Sequence, residues 1–325
     1  MPKSPILRAC ALHKVQVAII HRIKDVLMKT FLKWAAIAVA AVVILLVCAV
    51  LVLSQMGASK VDQTYTVQTV ANLSFVADSA ALARGEHIGK VAGCNHCHGT
   101  NYEGQVFLDV PPFRVVAANL TSGQGGVGEA YTPADWERAV RQGIDPDGHG
   151  LMAMMPSRAY YHFSDADVEA LAVFLDQLPP IDNELPATEL HLIGKVIAAT
   201  NPMFVPELID ASVTPPATTP TDPMELGRYW SQATCQECHG ADLRGAPHPG
   251  GPDYPYATDL AVVNTYSYEA FTAAMREGIK LGGTQMDGEI MPWVSFQHFT
   301  EEELSAIYMY LQTVGADDTI ASVSP

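Results

Sequence analysis

Hydrophobic positions follow two regimes along this chain. Ala35 to Leu53 is a run of 19 residues with no charge and no proline, long enough to cross a bilayer as one helix. Beyond it the apolar residues become periodic. Val168, Leu171, Leu175 and Leu178 share one face of a helix that starts after Ser164. Leu304, Ile307, Tyr308 and Leu311 repeat that face after Thr300, at the spacing of an amphipathic helix. Thr132-Pro133, with Asp135 three residues after the threonine and Gly143 as a stop, has the cap, first-turn proline and capping-box acid of a short helix. Glu303 completes the same box with Thr300, and Ser79 is placed to cap a helix running towards Cys94. No alternating pattern of useful length interrupts these segments. The fold class predicted is therefore all-α.

The periodic part is written twice. "ALARGEHIGKVAGCNHCHG" corresponds to "PMELGRYWSQATCQECHG", which sets Gly85 opposite Gly227. Asp135–Ile144 aligns without a gap on Ala270–Ile279, and the segment from Met155 to Leu178 aligns on that from Met291 to Val314. Identical order of pieces implies tandem duplication of a domain of roughly 100 residues. The organisation expected is a cytoplasmic tail (1–33), a transmembrane anchor (34–55), a tether (56–77), a first domain (78–181), a link (182–221), a second domain (222–315) and a tail (316–325). Met28 and the "KTFLKW" after it also read as a start, which would make 1–27 an over-long gene assignment. Within the link, "TPPATTPTDP" (Thr214–Pro223) reads as stiffened but unpacked. His191–Phe204 is more apolar than a link needs, and is read as packing on a domain in preference to the membrane or a partner.

Each repeat carries Cys-x-x-Cys-His, at Cys94, Cys97 and His98 and again at Cys235, Cys238 and His239. Paired cysteines of this spacing serve redox dithiols, zinc sites or covalent haem attachment. Zinc wants four ligands, normally two such pairs close together, and a disulfide leaves His98 and His239 without a role. In c-type haem attachment both thiols become thioethers and the next residue brings an imidazole to the iron. A sixth ligand is then needed, and methionine thioether suits an electron carrier. The repeat alignment pairs Met155-Pro156 with Met291-Pro292, so Met155 and Met291 are the candidates; Met152 and Met154 have no counterpart and read as packing. His162 and His298 match each other and offer a bis-histidine alternative, although a place just before the last helix suits them better. Arg141 and Arg276 also match, as propionate partners or, preferably, as solvated helix ends. His149 and His248 have no counterparts and read as surface-loop residues.

Charge divides at the apolar run. Before it lie Lys3, Arg8, Lys14, Arg22, Lys24, Lys29 and Lys33 against Asp25 alone, which places the N-terminus in the cytoplasm and the repeats outside. A cleaved signal peptide competes with an anchor, but no A-x-A site follows the run. Cys10 is then cytoplasmic and Cys48 intramembrane, leaving only the two motif pairs outside. Past residue 54 there are 12 Lys and Arg against 34 Asp and Glu, a formal −22. That sign excludes nucleic acid as a partner and favours a redox protein with a basic docking face.

With these motifs the chain resembles a membrane-anchored di-haem cytochrome c built of two class I cytochrome c domains. Residues 78–181 and 222–315 carry the resemblance, which is to cytochrome subunits of membrane-bound alcohol and gluconate dehydrogenases. It implies two covalent haem c groups and electron transfer as the activity. It also implies first and last helices crossing near Gly85 and Phe174, and near Gly227 and Tyr310. Those subunits usually carry three haem motifs, whereas this chain has two. The function expected is electron transfer from a respiratory dehydrogenase or quinol-oxidising complex to an acceptor such as a terminal oxidase. The rivals are a di-haem peroxidase or a haem-based gas sensor, each requiring an open iron position, and a dedicated dehydrogenase subunit.

Overall fold

The computed structural model describes residues 5–66, 73, 75–201, 203, 213–248 and 254–315, with side chains of 5–18 and 20 left aside. The expected tail from 316, the middle of the tether (67–72 and 74) and residues 202 and 204–212 of the link lie outside the described residues. So do Lys3 and the side chains of Arg8, Cys10 and Lys14. The chain divides into two compact units, 1–55 and 56–325. The first is helical throughout its described length, as part of α1 (Pro5–Val61). Among the described residues this is the one helix long and apolar enough to cross a membrane.

The second unit is built on two helix crossings. Helix α2 (Ser79–Val91) packs on α6 (Asp165–Asp176), and α8 (Pro223–Thr234) on α12 (Glu301–Leu311). Both crossings require glycine. A Cβ at Gly85 would lie 2.1 Å from the Ala170 carbonyl oxygen, and one at Gly227 would lie 2.0 Å from that of Ala306. Phe174 and Tyr310 flank the two contacts, as the resemblance implies. The obstacle in each case is backbone, so a side chain cannot be accommodated by a rotamer change. Gly227→Val should cost about 3 kcal/mol or more, at or above the upper end of overpacking penalties. Gly282→Val, at a glycine with open space around it, is strained only by its positive φ, so a comparable loss of melting temperature there would sink the close-packing argument.

Helix ends follow the sequence closely. Thr132 and Asp135 form a complete capping box on α4 (Pro133–Gln142), and Gly143 ends it at φ 63°. Thr300 and Glu303 form the other box, and Ser164 caps α6. At α2 the cap is Asp78, with Ser79 the first helical residue, because the Asp78 carboxylate accepts from the backbone of Ala80 and Ala81. The "TPPATTPTDP" segment is packed, against expectation. Backbone N–H groups of Asp165 and Ala166 donate to the Pro216 and Ala217 carbonyls, 2.9 and 3.1 Å away. These donors have no partner within their own helix, and the linker supplies one.

The all-α expectation needs correction. β1 (Gln105–Val110) and β2 (Phe113–Ala117) pair antiparallel around Pro111-Pro112, and β3 (Glu189–Leu190) joins the far side of β2. Only Val115 of the first two strands is fully buried. A surface hairpin has no need of strict alternation, and the register is irregular between Val106 and Leu108. The matching stretch, 246–257, contains four prolines, which cannot donate to a ladder. Part of the segment read as a tether is ordered. Residues 56–61 continue α1, and Tyr65 N–H donates to the Gly148 carbonyl at 2.8 Å. The apolar link segment forms α7 (Leu192–Thr200).

Candidate haem sites

Both motifs close short helices, α3 (Cys94–His98) and α9 (Gln236–His239). Each histidine leads into the same turn. Gly99 and Gly240 adopt φ 84° and 82°, and Tyr102 and Leu243 are the two non-glycine residues with positive φ among those described, at 65° and 60°. Gly104 N–H reaches back to the His98 carbonyl, and Gly245 N–H to that of His239. Leu120 and Leu260 then donate to the carbonyls of Tyr102 and Leu243. This loop aims the imidazoles. His98 Nδ1 lies 2.8 Å from the Ala118 carbonyl oxygen, and His239 Nδ1 lies 2.6 Å from that of Thr258. A carbonyl can only accept, so each Nδ1 carries the proton and each Nε2 keeps its lone pair. That is the tautomer a metal ligand needs. Burial lowers the pKa of both imidazoles, outweighing the carbonyls' opposite pull, and favours the neutral form.

None of the four motif cysteines is in a disulfide. Burial pushes the Cys94 thiol up to about 12 and those of Cys97, Cys235 and Cys238 to about 11. These are poor redox nucleophiles, which depend on a lowered pKa. In the second half Cys235, Cys238, His239 and Met291 line a single cavity of about 490 Å³, within the range of ligand and cofactor sites. Phe271, Met275 and Leu260 make much of its wall. In the first half the Met155 segment takes the same local form as the Met291 segment. Ser157 N–H donates to the Met155 carbonyl at 2.8 Å and Trp293 N–H to that of Met291 at 2.7 Å. Pro156 and Pro292 then cap α5 (Ser157–Tyr160) and α11 (Trp293–Phe296). Trp136 occupies the place of the cavity residue Phe271 in the repeat. Its Nε1–H is buried without a partner, a donor suited to a carboxylate-bearing ligand. Two thiols, an imidazole lone pair, a thioether and an apolar wall fit haem c.

The competing residues settle elsewhere. His298 is exposed and does not line the cavity; His162 is half-buried just before the α6 cap. Arg141 is neither a solvated helix end nor a free cation. It is fully buried, pairing with Asp165 at 2.8 Å and Glu137 at 3.6 Å, and also donating to the Phe163 carbonyl at 2.5 Å. Arg276 is partly exposed and pairs with Glu301. His149 is half-exposed beside Asp145. His248, read as a surface-loop residue, lines the cavity instead, stacked on Tyr254 at 4.7 Å.

One cluster escaped sequence reading altogether. The two motif-bearing halves meet around Trp230, which is fully buried among Phe163, Phe299, Tyr229 and His87. Arg84 lies over its ring at 5.4 Å and bridges Asp167, at 2.8 and 2.9 Å, to Glu303, at 3.1 Å. His87 Nε2 lies 2.9 Å from Glu303, and the Tyr229 hydroxyl donates to Asp167 at 2.6 Å. At the edge, His96 of the first motif lies 3.6 Å from Glu289, two residues before Met291. Arg158, two residues after Pro156, lies 4.0 Å from Glu237 of the second motif. Each haem motif thus abuts the methionine segment of the other half. The signal available was faint: Asp167 and Glu303 occupy matching positions in the repeat, both facing inward.

Residues 80–175 match the family described as cytochrome C oxidase, cbb3-type, subunit III, and residues 225–315 match the family described as cytochrome c. The chain contains cytochrome c domains. It is 26% identical over 263 residues to the fructose dehydrogenase cytochrome subunit of Gluconobacter japonicus, covering 73% of this chain and 53% of that protein. It is 24% identical over 285 residues to the gluconate 2-dehydrogenase cytochrome c subunit of Pantoea cypripedii, covering 76% and 62%. With a diheme cytochrome c-type protein of Cereibacter sphaeroides it shares 28% identity over 214 residues, covering 54% and 67%. The chain therefore spans between half and two thirds of the length of the dehydrogenase subunits it resembles. Cytochrome c domains imply covalently bound haem c, and two haems accord with two matches.

Proposed function

We propose that this chain is a membrane-tethered, extracytoplasmic electron-transfer protein with two covalent haem c groups, one in each of the domains 78–181 and 222–315. Cys94, Cys97 and His98 with Met155 would hold the first, and Cys235, Cys238 and His239 with Met291 the second. The observation that carries the reading is the convergence of Cys235, Cys238, His239 and Met291 on one apolar cavity. When bound, haem supplies one-electron cycling of its iron. The residues around it fix the imidazole tautomer, exclude water and present a thioether, which suits a closed site better than the open iron a peroxidase or gas sensor needs. In oxidised protein a weak near-infrared band should report methionine–iron ligation, and Met291→Ala should remove about half of its intensity. Full retention of that band in Met291→Ala would overturn the assignment of Met291, and low-spin oxidised haem without the band in the wild-type protein, turning high-spin in His298→Ala, would show bis-histidine ligation instead.

The apolar helix and the dehydrogenase cytochrome subunits among the relatives support anchoring in the cytoplasmic membrane, N-terminus inside. The same relatives favour service to a membrane dehydrogenase, as a subunit or as the next carrier, ahead of a terminal oxidase. The acidic exported region suits a partner with a basic docking face. Haem reduction by membrane donors should then slow as salt rises from low ionic strength to 0.15 M, where the Debye length falls to about 8 Å. Rates indifferent to salt would remove the docking face from the proposal.

A further inference from the structure

Two segments that read as a loose tether and a link meet in the fold. At Gly57 the backbone of α1 runs so close to α7 that a Cβ there would lie 1.8 Å from the Lys195 carbonyl oxygen and 2.9 Å from the Ala199 nitrogen. Lys60 Nζ also donates to the Ala199 carbonyl. The apolar run ends at Leu53, four residues before Gly57. Even fully extended, four residues span at most about 14 Å. Covalent connection alone therefore holds α7 close to where the run leaves the bilayer. Its first turn carries Leu192 and Ile193, 51% and 63% exposed, whereas Ala198 and Ala199 at its other end are buried. Lys195, one of the four lysines beyond residue 54, follows Ile193 by two residues in a region that is otherwise strongly acidic, while Lys60 is held at the other end of α7. Exposed aliphatic residues beside a lysine match the chemistry of an anionic lipid surface.

We propose that the first turn of α7 is a second membrane contact, with Leu192 and Ile193 entering the boundary between headgroups and acyl chains and Lys195 supplying positive charge to lipid phosphates. The inference rests on the reading of Ala35–Leu53 as membrane-inserted. It fixes the orientation of the second unit at the membrane surface, where a flexible tether would let it swing. The test uses the full chain, with Cys10 and Cys48 replaced by serine, in vesicles of phosphatidylcholine and phosphatidylglycerol. Spin labels are placed singly through Ile44→Cys, Ile193→Cys and Leu281→Cys, and collisions with oxygen (lipid-soluble) and a nickel chelate (water-soluble) are compared. Residue 193 should favour oxygen as residue 44 does, and residue 281, exposed on a loop of the second half, should favour nickel. Nickel access at 193 equal to that at 281, with 44 still lipid-exposed, overturns this contact and leaves the anchor standing. Nickel access at both 44 and 193 overturns the anchor reading and this inference with it. A label at 193 closed to both reagents points to a protein covering the turn, and overturns lipid as its occupant.

Discussion

Replacing Cys94 and Cys97 together by alanine should halve the covalent haem. Denatured wild-type protein should retain two haems per polypeptide, read from the alkaline pyridine spectrum, and the double variant one. The two sites are built from separate local elements, each with its own motif helix, glycine-led turn and methionine segment. Loss at the first site should therefore leave Cys235, Cys238 and His239 competent. Haem that extracts into acidified acetone from wild-type protein would end the covalent reading. Loss of both haems in the variant would show that the second half cannot mature without the first.

Arg84→Leu should be the most damaging change at the junction between the halves. It leaves Asp167 and Glu303, whose side chains are 3% and 7% exposed, as buried carboxylates without their shared cation. Breaking a buried pair by removing one partner costs about 3–5 kcal/mol, although Arg84 is itself 30% exposed, which argues for the lower end. The expected result is a large fall in melting temperature with two separated transitions in calorimetry. A single transition at the wild-type temperature would remove the cluster from any coupling role. Acid should act on the same place. Burial opposes ionisation of Glu303, but His87 and Arg84 prevail and hold its carboxyl below the ordinary 4.5. A depressed carboxyl contributes stability that is complete above its unfolded value and is lost as pH falls through the folded one. The junction should therefore loosen below about pH 4.5, and Glu303→Gln should flatten that part of the profile.

Features that depend only on near neighbours in the chain were legible before any coordinates. Caps at Thr132, Ser164 and Thr300 could be read because a side chain there bonds to backbone three residues on. The haem motifs could be read because covalent attachment demands thiols and imidazole at fixed spacing. Duplication could be read because each copy preserves the order of those local pieces, and the methionine pairing followed from it. The repeat set Gly85 opposite Gly227, and the resemblance to class I cytochrome c domains implied the helix crossings there. Features that depend on distant neighbours emerged only in the folded chain. The β1–β2 hairpin lies on the surface, so no alternation of burial announced it. The linker's carbonyls bind α6 because a helix N-terminus leaves donors unpaired, and no sequence pattern says which loop will supply acceptors. Arg141 could have faced solvent or a cofactor; only packing against Asp165 and the Phe163 carbonyl buries it. Arg84, His87, Asp167, Tyr229 and Glu303 lie far apart in the chain and acquire meaning only where two similar surfaces close on Trp230. Charge complementarity between segments up to 219 residues apart is a property of the assembled fold, because a buried ion is tolerable only when its partners arrive with it.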